Sequence, residues 1–239
     1  MRVLLVSIGL LLLSISGSAQ TILQDYDKPY NIGVRVGFNS AFPLVNSFTI
    51  NDEAITDYHI HYKVGYLAAV TFSVNFNRYF IQPSISWYRS NAEIQFDYPL
   101  FNSGNTNIAG TQNAVLKLDS EVNSLEVPIL IGYHIIKEGP YGMSIKFGPK
   151  GIYHYKSDYT LNSSVVSFRH EKDNIPYAVN FVSAIGVTIG RLFLDFSYEF
   201  GLHSVRSDFT YTDVLTGEEG TASLSQRTNK LSFSLGFIF

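Results

Sequence analysis

The chain has 239 residues, with 18 Phe, 16 Tyr and no cysteine; charged residues make up 15% and the formal net charge is −3. The missing cysteine excludes disulfides, thiolate metal sites and a cysteine nucleophile. Soluble chains carry about 25% charged residues, and this near-neutral balance leaves no electrostatic footprint for nucleic acid.

The first residues read MRVLLVSIGLLLLSISGSAQ. Arg2 supplies a positive start, Val3 to Leu13 a short apolar run, and Gly17-Ser18-Ala19 a small-residue cleavage site. This is the pattern of a secretory signal peptide over 1–19. The apolar run is shorter than the roughly 20 residues a spanning helix needs. Residues 20–30 form a short lead-in, and 31–239 one barrel domain.

From Asn31 the period is two. In GVRVGF, Val34, Val36 and Phe38 alternate with Gly33, Arg35 and Gly37. The alternation over 60–76, IHYKVGYLAAVTFSVNF, predicts one long second strand. A third strand is YFIQPSISWYRS, and a fourth runs from about Ala114 to Ile136. The fifth is GMSIKFGPKGIYHY, the sixth IPYAVNFVSAIGVTIG and the seventh RLFLDFSYEFGLHSV. The eighth starts near Gln226 and ends the chain at LSFSLGFIF.

The connections alternate in length. Asn77-Arg78, KEGPY and Gly190-Arg191 read as hairpin turns, whereas 39–58, 99–113, 159–173 and 208–224 read as long polar loops. Short turns at one end and long loops at the other mark an all-β, eight-stranded antiparallel up-and-down transmembrane β-barrel. Such a ring pairs its last strand with its first, so the chain can stop on an aromatic residue without leaving an edge.

Period two does not by itself say which face is buried. The polar faces are rich in small residues, among them Gly65, Ser84, Ser86, Gly132, Ser144, Gly186 and Ser232. Small residues suit the crowded lumen of a narrow barrel. The apolar faces carry aromatics toward both ends: Tyr79, Tyr133 and Tyr141 below, Tyr62, Trp87, Tyr153, Tyr155 and Tyr198 above. Two interfacial girdles in a membrane barrel account for both facts.

The strand charges fall on the small-residue face: Arg35, Lys63, Glu126, Lys146, Lys150, Asp195 and Glu199, with His61, His154 and His203. Lys146 and Asp195 sit at one height above the turns, and Lys150 and Glu199 one layer higher. Buried charges must be paired, so this set is expected to be a closed lumen network rather than a diffusion pore.

Enzyme chemistry is not expected. His59, His61, His154, His170 and His203 are candidate bases, and Asp57, Asp158 and Asp208 candidate orienters. No GxSxG or HExxH motif joins them. The loop acids Asp52, Glu53, Asp57, Asp213, Glu218 and Glu219 lack calcium-loop spacing. Neither a cofactor nor a metal is expected.

At LEVPILIGYHI, with Leu125, Glu126, Val127 and Pro128, the sequence resembles the PorT-like family of outer-membrane barrels from Bacteroidota, eight-stranded barrels of OmpX or OmpA type. GVRVGFN at 33–39 and FIQPSISWY at 80–88 resemble the same family, as does a signal peptide ending Ala19-Gln20. The resemblance implies the outer membrane as location, lipid and the barrel-assembly machinery as partners, and no catalytic residues. It also implies a C-terminal insertion signature at Phe237 and Phe239. The founding member is tied to type IX protein secretion, which makes a secretion accessory one expectation. A small channel or solute-binding barrel is another. The leading expectation is a structural or interaction barrel with four external loops and a surface or secretion protein as partner. Pro128 removes a ladder donor, which suits a bulge or kink that turns Glu126 into the lumen.

Overall fold

The computed structural model describes residues 28–50, 53–54, 58–99, 113–162, 166–170, 177–213 and 219–239. The signal peptide, its cleavage at Ala19 and most of the lead-in lie outside these residues. The described residues contain strands and no helix: β1 (Tyr30–Ile50), β2 (Glu53–Ala54), β3 (Tyr58–Tyr62), β4 (Val64–Phe76), β5 (Tyr79–Pro99) and β6 (Asn113–Glu138). Then follow β7 (Tyr141–Asn162), β8 (Val166–His170), β9 (Tyr177–Ile189), β10 (Leu192–Gly201), β11 (Val205–Asp213) and β12 (Glu219–Ile238).

Eight of them close a ring in the order β1-β4-β5-β6-β7-β9-β10-β12, with β12 returning to β1. Every pairing is antiparallel. The closing seam runs from Gly33↔Ile238 to Ile50↔Ala222. At its lower end the Phe239 amide donates to the Ile32 carbonyl over 2.9 Å, so the last residue of the chain is paired. Three two-residue turns share the end that carries both termini: Asn77-Arg78, Gly139-Pro140 and Gly190-Arg191. Asn77 (φ 58°) and Gly190 (φ 59°) take the left-handed region those residues tolerate.

Over the half of the ring next to the turns, burial is inverted relative to a water-soluble protein. Val36 is 63% exposed and Ile85 61%, whereas Ser86 is wholly buried. β10 alternates in step, with Leu192, Leu194 and Phe196 outward and Phe193, Asp195 and Ser197 inward. A continuous apolar surface around a polar interior is stable only in hydrocarbon. Aromatics bound it: Tyr79 and Tyr133 meet at 5.1 Å near the turns, and the Trp87 indole donates to the Tyr155 hydroxyl over 2.7 Å at the other margin.

The far end departs from the expected loops. β1 continues through 39–50, β8 occupies 166–170, and β11 with the start of β12 occupies most of 205–224. The expected loop at 99–113 lies largely outside the described residues. Two breaks divide this projecting part into two sheets. Pairing of β1 with β4 stops at Ser40↔Val64, and pairing of β7 with β9 stops at Tyr153↔Tyr177. Beyond them β3-β5-β6-β7 form one sheet and β2-β1-β12-β11-β8 the other. Their inward faces carry apolar cross-strand pairs, Ile94↔Leu118 on one and Phe48↔Leu224 on the other. All four side chains are at most 4% exposed.

The second strand is not continuous. Pairing moves from Tyr62↔Ala92 to Tyr66↔Arg89, four residues against three. One residue too many on this strand shifts the alternation by one, and it falls at Lys63. At Pro128 the ladder runs on without a register shift; the shifts lie instead at Val45/Ser47, Asn123/Ser124 and His134/Ile136.

Candidate functional site

The lumen charges sit on three strands of one wall and two strands opposite. β7 carries Lys146 and Lys150, four residues apart and so on one face; β10 carries Asp195 and Glu199 in the same way. β9 lies between them, presenting Ala184 and Gly186 to Lys146 and Asp195. These small residues let the long side chains meet across an intervening strand. A Cβ on Gly186 would stand 2.7 Å from Asp195 Oδ1 and 2.9 Å from Ser144 Oγ, so a side chain there would push these polar groups aside.

Two clusters result. Nearer the turns, Asp195 receives Lys146 Nζ on Oδ1 at 2.5 Å and Arg35 Nη1 on Oδ2 at 3.2 Å. One layer on, Lys150 bridges Glu126 and Glu199. Lys230 Nζ reaches Glu126 Oε1 at 2.5 Å, and Ser124 Oγ donates to the same oxygen at 2.7 Å. The Tyr88 ring lies beneath both lysines, 4.6 Å from Lys150 Nζ and 5.0 Å from Lys230 Nζ. All seven charged groups are at most 8% exposed. Strong attraction at low dielectric offsets the desolvation of such groups only when every charge has a close partner.

Six of the seven residues singled out from the sequence meet here: Arg35, Glu126, Lys146, Lys150, Asp195 and Glu199. Lys63 does not. The extra residue in its strand turns it outward, where it binds Glu93 Oε2 at 2.8 Å and Asp119 Oδ1 at 2.5 Å on the outer face of the projection. Lys230 was missed, although it shares parity with Ser232, Ser234 and Gly236 in KLSFSLG and so belongs to the lumen face. His61 also turns outward, beside His59, and both are exposed.

Open clefts flank the clusters. One, about 620 Å³ including solvent at its mouth, lies on the turn side and is lined by Lys146, Asp195, Gln82 and His134 among others. The other, about 830 Å³, lies on the far side and is lined by Lys230, Asn180, His154, His203 and the apolar Ile94 and Ile152. The candidate orienters are engaged elsewhere: Asp158 with Lys156 at 2.5 Å and Asp208 with Arg206 at 3.0 Å. The Arg206 partner holds the Asp208 carboxyl below its ordinary range. Asp57 lies outside the described residues. No group of His, Asp and Glu suited to a metal ion occurs among the described residues.

At the C-terminus Phe237 pairs with Val34 and Leu192, and its ring meets that of Phe239 edge-on at 5.4 Å.

A family model described as outer membrane protein beta-barrel domain matches residues 18–207. No curated protein matches the chain. Among solved structures, the outer membrane protein OprG from Pseudomonas aeruginosa aligns with a TM-score of 0.51 at 9% identity, covering 87% of this chain and 95% of that one. The outer membrane protein AlkL aligns at 0.45 and 12% identity, covering 87% and 90%. The outer membrane protease OmpT from Escherichia coli aligns at 0.44 and 8% identity, covering 89% and 98%.

Proposed function

Because the chain belongs to the outer membrane protein beta-barrel domain family, we propose that it is a closed barrel whose working part projects from the outer membrane. The carrying observation is the two-sheet projection with its own apolar core. Among the described residues its sheets end in strand edges without a continuous ladder. There β1 beyond Ser40 is laddered on that side with β2, at Thr49 and Ile50, and β7 beyond Tyr153 has no ladder to β9. A free edge offers a row of backbone donors and acceptors to an added strand. The occupant we assign is an extended segment of a surface or secreted protein. The turns and both termini then face the periplasm, and the four connections at the far end face outward.

The interior supports a closed barrel. Seven interlocked charged groups fill a lumen that an eight-stranded ring makes only wide enough for side chains. Uncoupled diffusion of solutes would require breaking those pairs.

Two measurements test the proposal. In a planar bilayer the purified barrel is expected to be silent; steady single-channel steps would overturn the closed reading. In whole cells, a tag within 100–112 followed by crosslinking and gentle solubilisation is expected to bring down a surface or secretion protein in stoichiometric amount. Recovery of the barrel alone would remove the platform reading.

A further inference from the structure

The two lumen clusters differ in charge. On the far side, Lys150 and Lys230 face Glu126 and Glu199, so positive and negative groups balance. On the turn side, Arg35 and Lys146 share the single carboxylate of Asp195. Asp195 is also the only carboxylate lining the turn-side cleft among the described residues. One positive charge is therefore left over in a buried wall beside the cleft. An uncompensated buried charge is strongly unfavourable at low dielectric, and an anion entering the cleft would be drawn to it.

The cleft is built to receive one. Lys146 (3% exposed), Ser144 (7%) and Gln82 (9%) all line it. The Gln82 amide and the Ser144 hydroxyl belong to its polar wall. Arg35 Nε, buried beside Asp195, has no hydrogen-bond partner among the described residues. Thr71, whose hydroxyl donates to the Gly33 carbonyl over 3.3 Å, and His134 complete a polar rim. Ammonium, amide and hydroxyl donors lining one open cleft, with the Arg35 guanidinium held on Asp195 beside them, form the donor set of an oxyanion site.

We propose that the turn-side vestibule binds a small oxyanion, a phosphate, sulfate or carboxylate, which balances the Arg35–Lys146–Asp195 cluster from the periplasmic mouth. The binding would act as a counterion lock: the anion tightens the cluster on the turn side without opening a path through it.

The test uses the whole barrel in lipid nanodiscs and inorganic phosphate as the probe. Phosphate is titrated while the Gly186 backbone amide and the Gln82 side-chain amide are followed by NMR. A saturable shift at both is expected. Lys146→Met removes the surplus charge and should weaken binding at least about tenfold, the range for losing a charged hydrogen-bond partner. Gln82→Leu keeps the charges and should weaken it by a few-fold. Should Lys146→Met fail to fold, the Gln82→Leu, Ser144→Ala double variant carries the same test with the ion cluster intact. No saturable shift, shifts confined to the projecting sheets, or unchanged affinity in these variants would each overturn the proposal. So would a Lys146 amine found neutral in the phosphate-free barrel by nitrogen NMR, because the charges would then already balance.

Discussion

β5 crosses two environments without changing its alternation. In its first half Ser84 and Ser86 point inward, and Ile85 and Trp87 outward; in its second half Ala92 and Ile94 point inward, and Arg89 and Glu93 outward. β12 makes the same exchange in reverse order, from Ala222 and Leu224 inward to Lys230, Ser232 and Ser234 inward. The strand pattern fixes only which side chains share a face. The medium outside decides which face is apolar: hydrocarbon next to the turns, water beyond them. One ring of strands thus has a polar core where it sits in lipid and an apolar core where it leaves it.

The strongest way to break this comparison is to remove one partner from each kind of core. Glu126→Gln leaves Lys150 with Glu199 alone and takes from Lys230 its carboxylate partner, and should cost about 3–5 kcal/mol in denaturant unfolding from lipid or detergent. The matched change on the outer face of the projection is Glu121→Gln. It loses a half-exposed pair with Arg89 at 2.6 Å and should cost less than about 1 kcal/mol. Equal costs would mean that water reaches the lumen cluster freely.

Leu224→Ala attacks the other core. Leu224 is 1% exposed, and its truncation should cost about 2–5 kcal/mol. That loss should appear as faster amide exchange in β11 and in β12 above Lys230, with the Gly33↔Ile238 end of the seam still protected. Uniform loss of protection would show that the two regions form one cooperative unit. Next in size, Ile85→Lys places an ammonium on the lipid face and should cost about 2–4 kcal/mol. Gln95→Lys, on the same strand but on the outer face of the projection, should change stability by about 0.5 kcal/mol or less.

The comparison also explains what the sequence could show. The eight-membered ring, its three tight turns and six of the lumen charges were legible, because period two and turn residues are local signals. The projection was not. The segment FPLVNSFTI read as a loop because Pro43 interrupts it and Leu44 on its outer face breaks the alternation, and GTASLSQ because its inward apolar residues, Ala222 and Leu224, are sparse. Lys230 was legible from its parity with Ser232 but was overlooked beside the apolar run that follows it. The slip at Lys63 could not be read: IHYKVGY alternates without interruption. The extra residue shows itself only in the pairing of β3 with β5, whose inward Ile94 draws Ile60 to the same face.

That slip carries the smallest and sharpest prediction. Lys63 and Gln95 donate to the Glu93 carboxylate on the water side, and the Lys63 ammonium is the larger cause holding its pKa at about 2. A carboxyl depressed in the folded state contributes stability above its unfolded value of about 4.5. That contribution is lost as pH falls through the folded value of about 2. Lys63 is shifted the opposite way, upward, chiefly by its hydrogen bond to Asp119. Its share is therefore present below about 10.4 and is lost only above its raised folded value. Between these limits the pair should be insensitive to pH. Its worth stays under about 1 kcal/mol, because Lys63 is 42% exposed and the pair is screened by solvent. Carbon NMR of the Glu93 carboxylate should give a midpoint near 2 in the native barrel. In Lys63→Met the midpoint should move most of the way back to about 4.5, with Gln95 accounting for the remainder. A native midpoint already near 4.5, unmoved by Lys63→Met, would place the Lys63 ammonium away from Glu93. The alternation would then run unbroken through the second strand, with Lys63 in the lumen beside the other charges.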